Sequence, residues 1–293
     1  MRYTCLSNEK GFSMSLPSWP NGARVAVLVS VLLEAWADGR SPGYFPRTTP
    51  LKAGQTDRAG ARWSEYGGKE GIWRLVKILD NRGVKASVFC NALAAERYPD
   101  AIKQIVGSGH RVQGHGYAQN QYLMDFSPEE QHATIRKCLD ILEEKSGSRP
   151  EGWMTPVYGG DQHTIDFLVQ EGLKWHCDAL DLSLPRRETT ASGHIVAIPW
   201  SEFVDNRVLK SNPMDYFEVY QNQFNYHQEQ EPLGLVHLAC HSHFGGRPLV
   251  ANIFDKILAF FGGHKNVWYP SPTELAQWMN DNKLDALPYS ARF

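Results

Sequence analysis

No pair of cysteines in this chain has the spacing of a metal or redox motif. Cys5, Cys90, Cys138, Cys177 and Cys240 are odd in number and scattered, with no C-x-x-C, so neither a disulfide framework nor a zinc knuckle is indicated and reduced thiols are expected. A surplus of either charge is also missing. Thirty basic residues against 32 acidic ones leave a formal net charge of −2, which gives no electrostatic case for nucleic acid or a membrane surface. No apolar stretch approaches the ~20 residues needed to span a bilayer. Residues 1–22 hold Glu9, Lys10 and two prolines but no apolar core of a signal peptide. Internal repeats, low-complexity tracts and clear linkers are absent. These absences predict one cytoplasmic domain over residues 1–293 that opens with an N-terminal extension at 1–22.

The sequence does contain a regular alternation of apolar strands and amphipathic helices. Residues 24–34 (RVAVLVSVLLE) form a β-branched, near-continuous apolar run, the pattern of a strand buried on both faces in a parallel sheet. Further strands are expected over 84–91, 111–114, 152–155, 175–177, 195–199 and 233–240. Helices are expected over 70–82, 92–108, 128–146, 164–171, 213–229, 250–261 and 273–281. Ser127 with Glu130 three residues on reads as a capping box for the third of these. The alternation is that of βα units winding a parallel sheet or barrel. Residues 37–68, polar and rich in glycine and proline, are too long for an idle connector and are expected to fold over something as a lid.

Three strand ends carry chemistry. Glu34 closes the first apolar run in Val31-Leu32-Leu33-Glu34-Ala35-Trp36. His115 sits between two glycines in Gly114-His115-Gly116-Tyr117. His241 and His243 share the loop of Cys240-His241-Ser242-His243-Phe244-Gly245-Gly246-Arg247-Pro248. The carboxyl ends of parallel strands are where α/β folds bind ligands, so a carboxylate and two imidazoles meeting there would form an acid/base site. A partly buried carboxyl at Glu34 would have a raised pKa and serve as general base. Asp178 and Asp181, just past the fifth expected strand, could each be an orienter or a simple turn residue. Cys240 reads as a small buried residue rather than a nucleophile.

These motifs, with Glu65-Tyr66-Gly67-Gly68-Lys69-Glu70-Gly71-Ile72-Trp73-Arg74 and Gly246-Arg247-Pro248, resemble the polysaccharide deacetylase (NodB-homology) superfamily from about Leu16 to Asp281. The branch they are most similar to hydrolyses cyclic amides: bacterial allantoinases and cyclic imide hydrolases. The resemblance implies a distorted (β/α) barrel of about seven strands and a homo-oligomer such as a tetramer. It also implies a general acid at His241 and an aspartate, Asp178 or Asp181, that orients a catalytic histidine. The departures from the family are specific. Sugar deacetylases carry an Asp-Asp pair and a His-x-x-x-His that together bind a divalent metal. Here the first motif keeps only Glu34, with Trp36 two residues on, and Gln119 stands where the second histidine belongs. Neutral Gln and Trp are poor metal ligands. The expectation is therefore hydrolysis that requires no cofactor. If a divalent metal such as zinc binds, its ligands would be Glu34, His115 and His241.

The expected reaction is hydrolytic opening of a small cyclic imide, amide or ureide at its C–N bond. His115 and backbone N–H groups would face the oxyanion, and His243 would be a secondary group. Candidate substrate contacts are Trp36, Tyr117, Gln119, Trp153 and Arg74, since a small flat ring needs apolar walls and a few polar anchors. A metal-dependent polysaccharide N-deacetylase and a non-catalytic small-molecule binder are the alternatives.

Overall fold

The computed structural model describes residues 18–286 and 289, except 38, 48 and 202; most of the expected N-terminal extension lies outside the described residues. The strands are β1 (Val25–Leu33), β2 (Ser87–Cys90), β3 (Arg111–Gly114), β4 (Gly152–Trp153), β5 (Trp175–Ala179), β6 (Arg186–Thr189), β7 (His194–Pro199), β8 (Gly234–His241) and β9 (Val267–Trp268). The helices are α1 (Arg58–Tyr66), α2 (Ile72–Arg82), α3 (Ala92–Arg97), α4 (Pro99–Gly107), α5 (Pro128–Ser146), α6 (Thr164–Gln170), α7 (Asp215–Gln230), α8 (Pro248–Gly262) and α9 (Pro272–Asp281).

One sheet runs in the order β6-β7-β5-β4-β3-β2-β1-β8, with β9 added beside β1. Every pairing is parallel except β6 with β7. Seven strands of the path are thus parallel, and the sheet curls into the distorted barrel that the resemblance implies. It stays open: among the described residues no strand pairing joins β8 to β6 or β7.

β1 is buried along its whole length, and its two faces serve different cores. Val25, Val27, Val29, Val31 and Leu33 pack outward against the helices with Leu75, Ile102, Leu139 and Phe254. Ala26, Leu28 and Leu32 point into the barrel with Phe89, Trp175 and Ile198. Glu34 continues this second alternation, which is why a carboxylate one residue past the strand faces the barrel mouth. The capping box at Ser127 and Glu130 is present, and α5 stops at Gly147 with φ +77°.

Two expectations about elements are corrected. Residues 92–108 form two helices, because Pro99 lacks a donor N–H and bars helical backbone at Tyr98. The segment 37–68 is not wholly irregular: its last third is α1, opened by Asp57, whose side chain accepts from the Gly60 N–H at 2.8 Å. The strands β6 and β9 are additions that the apolar patterning does not predict. The described residues contain no helix long and apolar enough to cross a membrane.

Between α1 and α2 the chain makes a π-helical turn over Gly67–Gly71 that lies directly on the loop after β8. A Cβ at Gly71 would sit 1.9 Å from the Ser242 carbonyl oxygen, and one at Gly67 would sit 2.7 Å from Ser242 Oγ. The glycines of this motif therefore permit a backbone contact that holds the histidine loop in place. Gly71→Ala is expected to cost about 1–3 kcal/mol or more in thermal unfolding, because backbone must move. Gly107→Ala, where a Cβ meets nothing within 4 Å, is expected to be neutral or to stabilise by up to about 1 kcal/mol. Equal melting temperatures for the two variants would refute the contact.

Candidate active site

The strand ends bring Glu34, His115, His241 and His243 together, all buried. Glu34 Oε1 lies 3.4 Å from His115 Nε2 and 3.7 Å from His241 Nε2. Glu34 Oε2 lies 3.5 Å from His243 Nδ1. One carboxylate thus faces three imidazoles, and each ring is held at its far nitrogen. His115 Nδ1 bonds the Met154 carbonyl at 2.7 Å. His241 Nδ1 bonds Asp205 Oδ1 at 2.6 Å. His243 Nε2 bonds the Tyr44 hydroxyl at 2.7 Å.

The backbone around the carboxylate is fixed by Asn91, which follows β2. Its Oδ1 accepts from the Ala35 N–H at 2.9 Å, and its Nδ2 donates to the His115 carbonyl. The ends of β1 and β3 are thereby tied together. Asp205 lies in a 3₁₀ turn over Asp205–Lys210 after β7 and is fully buried. It accepts from the His241 backbone N–H at 2.9 Å as well as from the ring.

Burial alone would raise the Glu34 pKa, but the charge on His241, the hydrogen bond from His115 and the other imidazoles outweigh it and lower it to about 2. The expected raised pKa is therefore overturned: Glu34 is a carboxylate at neutral pH, because it is surrounded by donors. His241 is pulled down by burial and pushed up more strongly by Asp205 and Glu34, reaching about 9, so it is an imidazolium at neutral pH. His243 is lowered to about 3, since burial prevails over the attraction of Glu34. It is neutral at neutral pH, and the negative charge of Glu34 is balanced chiefly by His241.

A cavity of about 340 Å³ opens onto these groups. Glu34, His115, His241 and Gln119 form its polar floor, Tyr44, Met154, Tyr158 and Trp200 its flatter walls, and Asn206 and Arg207 further polar groups of its wall. Val157 and Tyr158, also on the wall, both hold left-handed backbone with φ of 48° and 56°, a strained turn at the site.

Of the expected substrate contacts, only Gln119 lines this cavity. Trp36 instead packs its ring edge on His243 at 5.2 Å. Trp153 is fully buried, bonds Thr155 Oγ1 and fills the space left by Gly114. Tyr117 bonds Glu96 and lies under Lys137. Arg74 ties Tyr66 to the Gly246 carbonyl, bracing the π-helical turn. These four serve the scaffold.

The orienting aspartate is also corrected. Asp181 pairs with Arg186 at the surface. Asp178 accepts from Thr155 N–H at 2.8 Å and Thr155 Oγ1 at 2.5 Å. It acts on His115 only indirectly, by fixing the strand end whose Met154 carbonyl holds that ring. The direct orienter of His241 is Asp205. In sequence it is one aspartate of many, 36 positions before its partner, and only the burial of its turn against β8 singles it out. Asn91, the last residue of an apolar strand, carried a weak signal of the same kind. His237, inside the barrel, is satisfied by Ser30 Oγ and the Pro199 carbonyl and plays a structural part.

The donors suit a metal in type. A carboxylate with two imidazoles, each fixed at its second nitrogen by an oxygen acceptor, is the chemistry of a catalytic zinc site, and Glu34 Oε2 and His243 Nδ1 are buried without hydrogen-bond partners. Among the described residues, however, no three such side chains converge in a ligating arrangement.

Residues 64–175 match the family model of polysaccharide deacetylase. The chain is 30% identical over 175 residues to the peptidoglycan deacetylase-like protein FGM2 of Gibberella zeae, covering 58% of this chain and 45% of that protein, so it spans less than half of that relative's length. It is 23% identical over 248 residues to a peptidoglycan deacetylase of Helicobacter pylori, covering 72% of this chain and 84% of the relative. The fold superposes on the crystal structure of PuuE allantoinase with a TM-score of 0.80 at 23% identity, over 92% of this chain and 96% of that one. Residues 64–175 thus match polysaccharide deacetylase, and the curled parallel sheet as a whole shares the fold of that allantoinase structure.

Proposed function

We propose that the protein is a hydrolase that opens the C–N bond of small cyclic imides or related cyclic amides and ureides. The observation that carries this reading is the pairing, in one cavity of about 340 Å³, of a carboxylate-backed imidazolium, His241, with an imidazole held by a backbone carbonyl, His115. That volume suits a single small ring rather than a polymer strand. The fold likeness to an allantoinase supports the same substrate class.

The chain's own groups supply each proton transfer. The Met154 carbonyl can only accept, so His115 carries a hydrogen on Nδ1. In its neutral form its lone pair lies on Nε2, and that atom, 3.4 Å from Glu34 Oε1, gives the carboxylate a hydrogen bond once it has gained a proton. Water placed there loses a proton to His115 Nε2 as its oxygen attacks the ring carbonyl. Glu34, too weak a base for this at about 2, instead stabilises the imidazolium that forms, as a buried carboxylate does behind a catalytic histidine. Gln119 and Asn206 are polar groups of the cavity lining that the carbonyl oxygens can meet. The tetrahedral intermediate collapses with cleavage of the C–N bond, and His241 gives its Nε2 proton to the leaving nitrogen. The products are a carboxylate and an amide or ureide nitrogen on one opened chain. No step requires a metal.

The rival reading is an N-deacetylase, favoured by the names of the relatives from Gibberella zeae and Helicobacter pylori. A panel of succinimide, maleimide, hydantoin, allantoin and N-acetylglucosamine oligomers separates the two, and turnover of the oligomers alone would sink the cyclic-amide reading. Turnover is expected to survive a chelator. Loss in chelator with recovery on adding zinc would show that the metal is obligatory.

The pH dependence is set by His241. Its proton is present below about 9 and lost above it, so kcat/KM should fall on an alkaline limb near that value. Asp205→Asn removes the main charge holding the proton. The limb should then move to lower pH, with turnover at neutral pH reduced by about 10²-fold or more. An unmoved limb would show that His241 is not the acid.

A further inference from the structure

We propose that a groove on the open seam of the barrel is a subsite for an apolar, arylalkyl substituent on the substrate ring. This inference rests on the cyclic-amide reading and adds the class of ring that the site prefers. The groove follows from the topology. Among the described residues β7 and β8 do not pair, so side chains span the gap between them. Outside the gap, α7 is held against β8 by the Tyr216 and Tyr220 hydroxyls, which donate to the Ala239 and His237 carbonyls at 2.6 and 3.2 Å. What remains is a cavity of about 530 Å³, larger than the one that opens onto Glu34.

The first support is the chemistry of the lining. Leu180, Leu182, Phe203, Val219, Tyr226 and Leu235 give the groove apolar walls. Leu180, Phe203 and Tyr226 are 49%, 53% and 51% exposed, three large apolar side chains left open on one groove. The polar side chains beside them are spent on protein partners. His237 bonds Ser30 Oγ and the Pro199 carbonyl. His227 Nδ1 bonds Glu231 Oε2 at 3.0 Å, Ser201 Oγ donates to the Phe203 carbonyl at 3.0 Å, and Asp181 pairs with Arg186. A sugar laid there would bring its hydroxyls to groups already bonded, whereas an aryl group needs burial alone.

The second support is position. Trp200 and Ser201 line both this groove and the cavity that opens onto Glu34. Trp200 stands as a fixed step between the two. Its backbone N–H bonds the Ala179 carbonyl at 3.2 Å, and its ring meets Phe89 at 5.6 Å and His237 at 4.5 Å. A ring seated before His115 and His241 therefore has the groove one residue away. An unsubstituted ring occupies the first cavity only. An arm of a few carbons carries an aryl group over Trp200 into the second. Its burial against Phe203 and Tyr226 then supplies binding energy remote from the reacting carbonyl.

The experiment compares succinimides carrying a methyl, benzyl or 3-phenylpropyl substituent on a ring carbon, with the full-length protein. The best arylalkyl ring should exceed the methyl ring by about tenfold or more in kcat/KM. The double variant Phe203→Ser, Tyr226→Ser removes both exposed rings, and this preference should fall to within about twofold of one. The ratio compares two substrates on one protein, so a general loss of folded enzyme cancels from it. A ratio near one in the wild type, or an unchanged ratio in the double variant, overturns the proposal. Binding is read separately from the 19F resonance of 4-fluorobenzyl alcohol, which has no ring to open. The resonance should broaden with the wild type and stay sharp with the double variant. Displacement of this probe by N-acetylglucosamine oligomers would assign the groove to a sugar. Binding that appears only when dilution breaks a dimer would assign it to a second copy of the chain. Either result overturns the proposal. If no cyclic imide is turned over, the cyclic-amide reading fails, while the 19F result still decides whether the groove takes an aryl group.

Discussion

A carboxylate with almost no contact with water must be stabilised by its neighbours, and three imidazoles do this for Glu34. An uncompensated buried charge costs several kcal/mol. The neighbouring groups here reverse that penalty so far that Glu34 sits at about 2. Most of the surrounding architecture follows from keeping those rings in place. Asp205 holds one, the Met154 carbonyl another and Tyr44 the third. Behind them stand Asp178, which fixes the Thr155 strand end, and the glycine turn, which presses on the Ser242 backbone. Each ring differs in what lies behind it, and this difference separates their roles. In the proposed reaction the carboxylate behind His241 suits it to act as the acid, and the neutral carbonyl behind His115 suits its outer nitrogen to act as the base.

Much of this was legible in the residues. The alternation along β1 fixes which side chains enter the barrel, and it carries through to Glu34 without a break. The glycines flanking His115 and the apolar run before His241 mark strand ends in the same way, so the three groups could be brought to one place before any coordinates. Gln119 lines the cavity. The aromatic and cationic candidates fared worse for a common reason. Trp153, Tyr117 and Arg74 sit in motifs beside the site, but a motif records which residues are required and not which face they turn to. Trp153 turns into the core that Gly114 opens for it, and Arg74 turns back to brace its own motif.

What the residues did not reveal depends on distance in the chain. Asp205 and Asn91 act by hydrogen bonds to backbone and ring atoms of strands other than their own, and such contacts leave no spacing to read. The direction of the Glu34 shift was hidden for the same reason. Burial and three neighbouring rings push it in opposite directions, and only their separations decide which prevails. The helix α1 was obscured by a composition rich in glycine and polar residues, although Asp57 supplied a cap at its start.

Among the described residues the barrel is not closed by strand pairing, yet β7 and the turn after it are joined to β8 across the gap. Asp205 reaches from the turn after β7 to the backbone and ring of His241 on β8, with His237 bonding Pro199 below it. These side-chain bonds act as the clasp of an otherwise open cylinder. The acid of the proposed reaction is thus also a hinge pin: any motion that widens the cylinder along this seam must first loosen the aspartate that keeps His241 protonated. Under the proposed reaction, breathing of the scaffold along this seam would therefore cost the acid its proton.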